Sequence, residues 1–344
     1  MLSSNLRAKF DITALKNWFL LKKREFPWRN EPTPYQVWVS EVLLQQTQAS
    51  VVISYFNRWM ELFPTIEALA LAPLSRVIKA VEGIGDYSRV RHMHEAAQNI
   101  VSTHGGNLPE TKELLEQIKG LGPYTIGAIL SFAFHQKAAA IDGNVMRVIS
   151  RYFLIETPIE RQATKKEIEH QVMLLLPDKE PWILMEALIE LGACICKKHP
   201  QCMLCPVKET CSAYREKKTN LLPLKTKKTS VLFLQRFVGI LEYNKELLLR
   251  KVPSGNVMAD LYEFPYFDAP FANHPLAKEA TFVRTLPMVK QSFTRYRAEL
   301  YPTIWKTEAP FSMKEYTWTA LSEIKNLPFS SGHRRIWEAY ATSI

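Results

Sequence analysis

Five cysteines, Cys194, Cys196, Cys202, Cys205 and Cys211, fall in one short segment of a 344-residue chain. Structural disulfides staple distant parts of a chain, so cysteines clustered like this argue for metal ligation. Four of them read Cys196-x5-Cys202-x2-Cys205-x5-Cys211, among lysine, histidine and proline. Four thiolates can hold zinc or a [4Fe–4S] cluster, and the Cys-x2-Cys pair suits either. Cys194 is left over and competes with Cys196 for the first ligand position. His199 is either a further zinc ligand or an exposed loop residue. The expectation is a segment closed around a metal centre; the poorer alternative is four buried cysteines that hold nothing.

The chain around that segment is too long for one ordinary domain and suits two. From Ile12 to about Ser212, apolar residues recur at three- and four-residue spacing, as in Val37, Val42, Leu43 and Leu44. Breaks at Phe63-Pro64, Ala72-Pro73, Gly83-Ile84-Gly85, Gly105-Gly106, Gly120-Leu121-Gly122-Pro123 and Leu176-Pro177 separate these runs. The pattern predicts an all-α domain of about ten short helices over residues 1–213. Residues 214–229 are rich in lysine and arginine and predict a basic linker, either lying along a polyanion or merely solvated. Beyond them, alternating runs at Val231–Leu234, Phe237–Leu241, Glu246–Leu249, Arg297–Tyr301 and Thr303–Trp305 predict a smaller mixed α/β domain over 230–344.

The formal net charge is +10. Such a balance suits a nucleic acid or an anionic membrane, or is simply a basic surface. No apolar run approaches the roughly 18–20 residues that cross a bilayer. Met1 to Lys9 lacks the apolar stretch of a signal peptide. The expectation is a soluble intracellular protein with no membrane partner.

Two further patterns carry chemistry. Ile118-Lys-Gly-Leu-Gly-Pro-Tyr-Thr125 joins an expected helix at 112–117 to another at 126–134. Gly120 and Gly122 permit a tight turn whose amides, with the next helix N-terminus, can hold a phosphate. The second pattern is a pair of carboxylates. Glu41 is the only charge in the largely apolar run Trp38–Gln48, and Asp142 follows the apolar stretch Ala138–Ile141. A partly buried acid has a raised pKa suited to donating a proton. The plainer alternatives are a surface charge at Glu41 and a helix N-cap at Asp142.

Taken in order, Trp38-Val-Ser-Glu-Val-Leu-Leu-Gln-Gln-Thr-Gln48, the glycine hairpin, Ile141-Asp-Gly-Asn-Val145 and the four cysteines resemble the adenine DNA glycosylases of the MutY type. These belong to the helix–hairpin–helix glycosylase superfamily. The resemblance covers about residues 10–214 and continues more weakly into a C-terminal domain similar to the Nudix-like module that recognises 8-oxoguanine. It implies a multidomain fold: an all-α glycosylase domain with a [4Fe–4S] cluster loop, then a smaller α/β Nudix-like domain. No clustered glutamates of a Nudix hydrolase are present, so pyrophosphate cleavage is not expected.

The resemblance also implies roles. Glu41 would protonate the adenine ring, and Asp142 would stabilise the positive charge developing on the sugar. Asn144 and Tyr124 would support them. Arg24, Phe26, Trp28, Arg29, Glu186 and Ile189 would line the extruded base, which must leave the duplex to be cut. Leu44 and Gln46 would probe the opened stack. Gly120, Gly122, Tyr124 and Thr125 would contact DNA. Cys196, Cys202, Cys205 and Cys211 would hold the cluster. Tyr124 stands where the pyrimidine-specific endonuclease III type carries a lysine, and a phenol cannot form a Schiff base. A monofunctional enzyme follows, and Met146 removes a further basic residue that some relatives carry.

Three departures stand out. The first cysteine spacing is one residue shorter than the family's. Asp86 replaces a tyrosine that wedges beside the lesion. Ser292-Phe-Thr-Arg-Tyr-Arg297 replaces the lesion-sensing Phe-Ser-His loop, keeping Phe293, a hydroxyl at Thr294, and Arg295 in place of histidine. The expected substrate is double-stranded DNA with adenine opposite 8-oxoguanine or guanine, acted on by a monomer in the cytoplasm at the nucleoid. The alternatives are a same-fold glycosylase for G·T mismatches or oxidised pyrimidines, and a non-catalytic DNA-binding cluster protein.

Overall fold

The computed structural model describes residues 10–85, 87–226, 230–293 and 295–343. They form two compact units: the described parts of 1–70 with 95–228, and of 71–94 with 229–344.

The helices run α1 (Ile12–Lys22), α2 (Pro34–Leu44), α3 (Ala49–Leu62), α4 (Ile66–Leu71), α5 (Leu74–Ala80), α6 (Ser88–His104), α7 (Lys112–Glu116), α8 (Pro123–Ala128), α9 (Gly143–Tyr152), α10 (Gln162–Leu175), α11 (Pro181–Cys194) and α12 (Ser212–Arg215). The first unit holds most of them around one core. That core joins Val145, Val148 and Ile149 of α9 to Ile168 and Val172 of α10 and Leu184, Leu188 and Leu191 of α11.

Local chemistry sets the helix starts. Thr33 and Gln36 form a reciprocal capping box ahead of α2, with Pro34 at the first helical position. Residues Tyr35 to Leu43 of α2 are buried except Gln36, so this helix is enclosed on every side rather than half-exposed. Gly192 lets α9 approach α11 closely, since a Cβ there would sit 2.6 Å from the Asn144 Cβ. The hairpin follows α7 through Gly120 at φ 101 and enters α8 at Pro123, earlier than the sequence suggests. Its second helix ends in a π-helical turn, Ile129–Ala133. Such turns gather at functional sites.

The expected basic linker is not free along its whole length. Leu222 is buried, its carbonyl accepts from Arg151 Nε at 3.0 Å, and Ile159 N donates to Leu224 O at 3.1 Å. Residues 227–229 lie outside the described residues.

The second unit is a mixed sheet with helices. Its long strands β1 (Leu232–Tyr243) and β7 (Tyr296–Thr307) pair in parallel from Leu232↔Tyr296 to Glu242↔Lys306. Each merges two runs that the sequence pattern separates: Gln235-Arg236 interrupts the apolar pattern of β1 and Pro302 that of β7, yet the parallel pairing runs through both. The strands β2 (Glu246–Lys251), β3 (Tyr262–Glu263), β4 (Tyr266–Phe267), β5 (Ala280–Thr285), β6 (Val289–Phe293) and β8 (Thr317–Ala320) pair antiparallel. Two short helices follow, α13 (Leu321–Ile324) and α14 (Ser331–Ala341). Alternation sends Ile240 and Leu247 into a core with Ile336 and Tyr340, and their neighbours Leu241 and Leu248 into a second core with Phe271 and Trp305.

Candidate active site

The first unit carries a cleft of about 1550 Å³ lined by residues from α1, α2, α9 and α11. Glu41 and Asp142, 101 positions apart by residue number, both face it, with Tyr124 and Asn144. Every expected base-pocket residue, Arg24, Phe26, Trp28, Arg29, Glu186 and Ile189, lines it too, as do Leu44 and Gln46. Gln46 adopts φ 60 just beyond the end of α2, a strained setting for a non-glycine residue. Gly120, Gly122 and Thr125 are not among the cleft residues. Thr125 is buried, so the hairpin has backbone amides rather than this hydroxyl to offer a phosphate.

Glu41 is buried, not the surface charge its position also allowed. Burial pushes its pKa up to about 7, and the Tyr124 hydroxyl, which donates to Oε2, holds it from rising further. Burial also lifts Tyr124 well above its ordinary value, so it stays a neutral donor. Asp142 is a helix N-cap and a cleft acid at once. Its Oδ1 accepts from Val145 N at 2.7 Å and its Oδ2 from Asn144 Nδ2 at 2.6 Å. Burial raises its pKa, while these donors and Arg147 work to keep it ionised.

The pocket wall is aromatic and cationic. Phe26 and Trp28 stack at 4.9 Å, and the Arg24 and Arg29 guanidiniums lie 5.1 and 5.0 Å from the Phe26 ring. Both arginines converge on Glu190, which the sequence reading missed. Arg24 Nε reaches Oε1 at 2.6 Å and Arg29 Nη2 reaches Oε2 at 2.8 Å. Burial alone would raise Glu190, but the two guanidiniums outweigh it and hold it at about 2. The missed signal was available: Glu186 and Glu190 are one helical turn apart in a largely apolar helix, the pattern that marked Glu41.

Arg147 and Arg151 were missed as well. Arg147 Nη2 donates to Asn144 Oδ1 at 2.7 Å, and its Nε donates to the Cys196 carbonyl at 2.7 Å. Arg151, one turn on, donates to the carbonyls of Lys197 and Lys198 and lies 3.3 Å from Cys196 Sγ. Helix α9 therefore carries Asp142 at its cap and grips the cysteine loop along one side.

Cys196, Cys202, Cys205 and Cys211 line one small cavity of about 30 Å³, beside Arg151 and Tyr152. Cys194 is not among its lining residues, and its Sγ donates to Glu190 Oε1 at 3.3 Å. Burial raises the Cys202, Cys205 and Cys211 thiols, Cys205 to about 12, and the neighbouring sulfurs add to this. Three thiols raised in this way need a cationic centre to ionise. Among the described residues, no three of histidine, cysteine, aspartate or glutamate close around a single ion. The buried Arg151 cation, 3.3 Å from Cys196 Sγ, would suit the negative charge of a centre held by thiolates.

In the second unit, Phe293 and Arg295 flank the β6–β7 turn. The Phe293 ring lies 5.2 Å from Tyr296, and the Arg295 guanidinium lies 5.5 Å from the same ring. Asp86 and Thr294 lie outside the described residues.

Residues 39–177 match the HhH-GPD superfamily of base excision DNA repair proteins, and 237–339 match the NUDIX domain. A thermostable thymine-DNA glycosylase of known structure matches with TM-score 0.56 and 26% identity, over 63% of this chain and 100% of its own. The adenine DNA glycosylase of Mus musculus is 39% identical over 60% of this chain. The chain spans about two fifths of the length of that relative, 42%. The adenine DNA glycosylase of Buchnera aphidicola subsp. Baizongia pistaciae is 32% identical over 73% of this chain and 72% of its own length. The chain belongs to the adenine DNA glycosylase family. The helical glycosylase fold followed by a Nudix-like α/β domain, expected from the motifs, is the one observed. In this family member no helix among the described residues is long and apolar enough to cross a membrane.

Proposed function

We propose that this chain is a monofunctional DNA glycosylase of base excision repair that hydrolyses the bond between adenine and deoxyribose. Its substrate is double-stranded DNA with adenine opposite 8-oxoguanine or guanine, and its product is an abasic site. The observation that carries this reading is the pairing of Glu41 and Asp142 in one cleft beside a phenol rather than an amine.

The chemistry follows from the two environments. Glu41, with a pKa of about 7, is protonated in a large share of molecules at neutral pH and can deliver that proton to a ring nitrogen of the base. The neutral purine then departs instead of its anion. Asp142, held by Val145 N and Asn144, places its charge against the sugar as the glycosidic bond lengthens. Water completes the sugar: its oxygen bonds C1′ where the bond to the base nitrogen has broken, and the proton it loses replaces the one that Glu41 gave up. Tyr124 cannot open the sugar through a Schiff base, so strand cleavage is not expected. Phe26, Trp28 and the arginines above them offer a stacking wall for an extruded purine.

Cys196, Cys202, Cys205 and Cys211 would hold a [4Fe–4S] cluster. When bound, it would tie the loop at 196–211 together around four thiolates. The lesion-sensing role falls to Phe293 and Arg295 at the β6–β7 turn, with Thr294 between them in sequence.

The test is single-turnover release of adenine from A·8-oxoguanine and A·G duplexes, with a G·T duplex as control. Fast release from A·8-oxoguanine supports the reading. Release of thymine alone would replace it with another base specificity on the same fold.

A further inference from the structure

Residues 71–94 lie inside the glycosylase match, yet they fold as part of the C-terminal unit. Two charge clusters hold them there, one on each side of the turn at Gly83-Ile84-Gly85. On the entry side, the Glu82 carboxylate accepts from Lys79 Nζ at 2.5 Å, from Arg334 Nε and Nη2 at 2.7 and 3.1 Å, and from Phe329 N at 2.9 Å. Arg334 also donates to Leu327 O at 2.6 Å and lies over the Phe329 ring. Glu82 and Arg334 are only 13% and 16% exposed, and a bidentate pair so shielded from water is strong and directional. On the exit side, Arg91 donates to Ala259 O at 2.9 Å and pairs with Asp260 at 3.5 Å. Asp260 is held in turn by Lys251 at 3.2 Å.

The turn between these anchors is stiff at its base and open at its tip. Gly83 and Gly85 take φ 99 and 79, and Gly83 N donates to the buried Tyr87 hydroxyl at 2.9 Å. A Cβ at Gly85 would meet nothing within 4 Å. Downstream, α6 begins within this unit at Ser88 and continues past Glu95, where the first unit resumes. The turn is thus gripped by C-terminal residues at both ends.

We propose that Glu82 and Arg91 are positioning residues: through Arg334 and Asp260 they make this turn a working part of the C-terminal domain. Recognition of the base opposite adenine by that domain then depends on the turn being held in place. This inference rests on the proposed mispair specificity.

The experiment uses the full chain and the variants R334M, R91M and the double variant. Single-turnover adenine release from A·8-oxoguanine and A·G duplexes is compared, and hydrogen exchange is followed at the amides of 83–85 and 87–91. The expected result is a drop of about tenfold in the ratio of the two rates for the double variant, with A·G release within about twofold of the unaltered chain. Exchange at the turn should speed up while α9 stays protected. An unchanged ratio, or both rates falling together, would overturn the proposal. If the unaltered chain shows no preference for 8-oxoguanine, the mispair reading fails and the turn's part in that preference fails with it. Exchange then still decides whether Glu82 and Arg91 hold the turn, and unchanged protection in the double variant would sink that too.

Discussion

Tyr124 donates its hydroxyl to Oε2 of Glu41, joining the start of α8 to the buried middle of α2. This bond opposes the burial that lifts the Glu41 pKa to about 7. Removing it in Tyr124→Phe should raise that pKa by about one unit, given the usual strength of a hydrogen bond to a carboxylate. A pH–rate profile reads the shift as a later fall in adenine release on the alkaline side. An unmoved profile would mean that another group supplies the proton.

Glu41→Gln should lower single-turnover release by at least about a thousandfold while leaving DNA binding in place. It should also change stability with a definite sign. The folded pKa of Glu41 is raised from 4.5 to about 7, so its contribution is full below pH 4.5 and lost as pH rises through 7. Above pH 7 the ionised side chain costs about 3 kcal/mol relative to a neutral one. The variant should therefore melt at a higher temperature than the unaltered chain at pH 8, with the difference vanishing near pH 4. Melting curves at both pH values check this.

Glu190 works in the opposite direction. Its folded pKa is depressed to about 2, so its stabilisation is present above pH 4.5 and lost as pH falls toward 2. Glu190→Gln leaves Arg24 and Arg29 without their shared anion and should cost about 3 kcal/mol at pH 7. The gap in melting temperature should narrow progressively below pH 4.5. A constant gap across that range would show that packing, not charge, is responsible.

Cys194 and Cys196 are two residues apart but differ in environment, one bonded to Glu190 and the other facing the small cavity. Cys194→Ser should keep the broad absorption near ~400 nm of an iron–sulfur protein, and Cys196→Ser should lose it. The reverse outcome would move the first ligand to Cys194.

How much of this was legible in sequence depends on whether the signal was local. Glu41 stood out because it interrupts an apolar helix, and the cysteines because they cluster. Asp142 supported two readings, and the fold uses both: its two oxygens are divided between the cap and Asn144. Glu190 bore the same mark as Glu41 but sat beside Glu186, which drew the attention. The strands β1 and β7 looked like shorter pieces because the polar pair Gln235-Arg236 and the proline at 302 break the apolar runs, and long parallel pairing overrides both breaks here. The membership of residues 71–94 left no trace, since Glu82 and Arg334 are 252 positions apart and such pairs create no periodicity.

That last pairing bears on how the protein can be divided. A nick or truncation at the basic segment looks harmless, because it falls between two recognisable modules. The N-terminal fragment would nonetheless retain a carboxylate at Glu82 that has lost Arg334 and a guanidinium at Arg91 that has lost Ala259 and Asp260. The C-terminal fragment would bare the matching surface. Heredity and sequence similarity divide this molecule at one place, and its charges divide it at another.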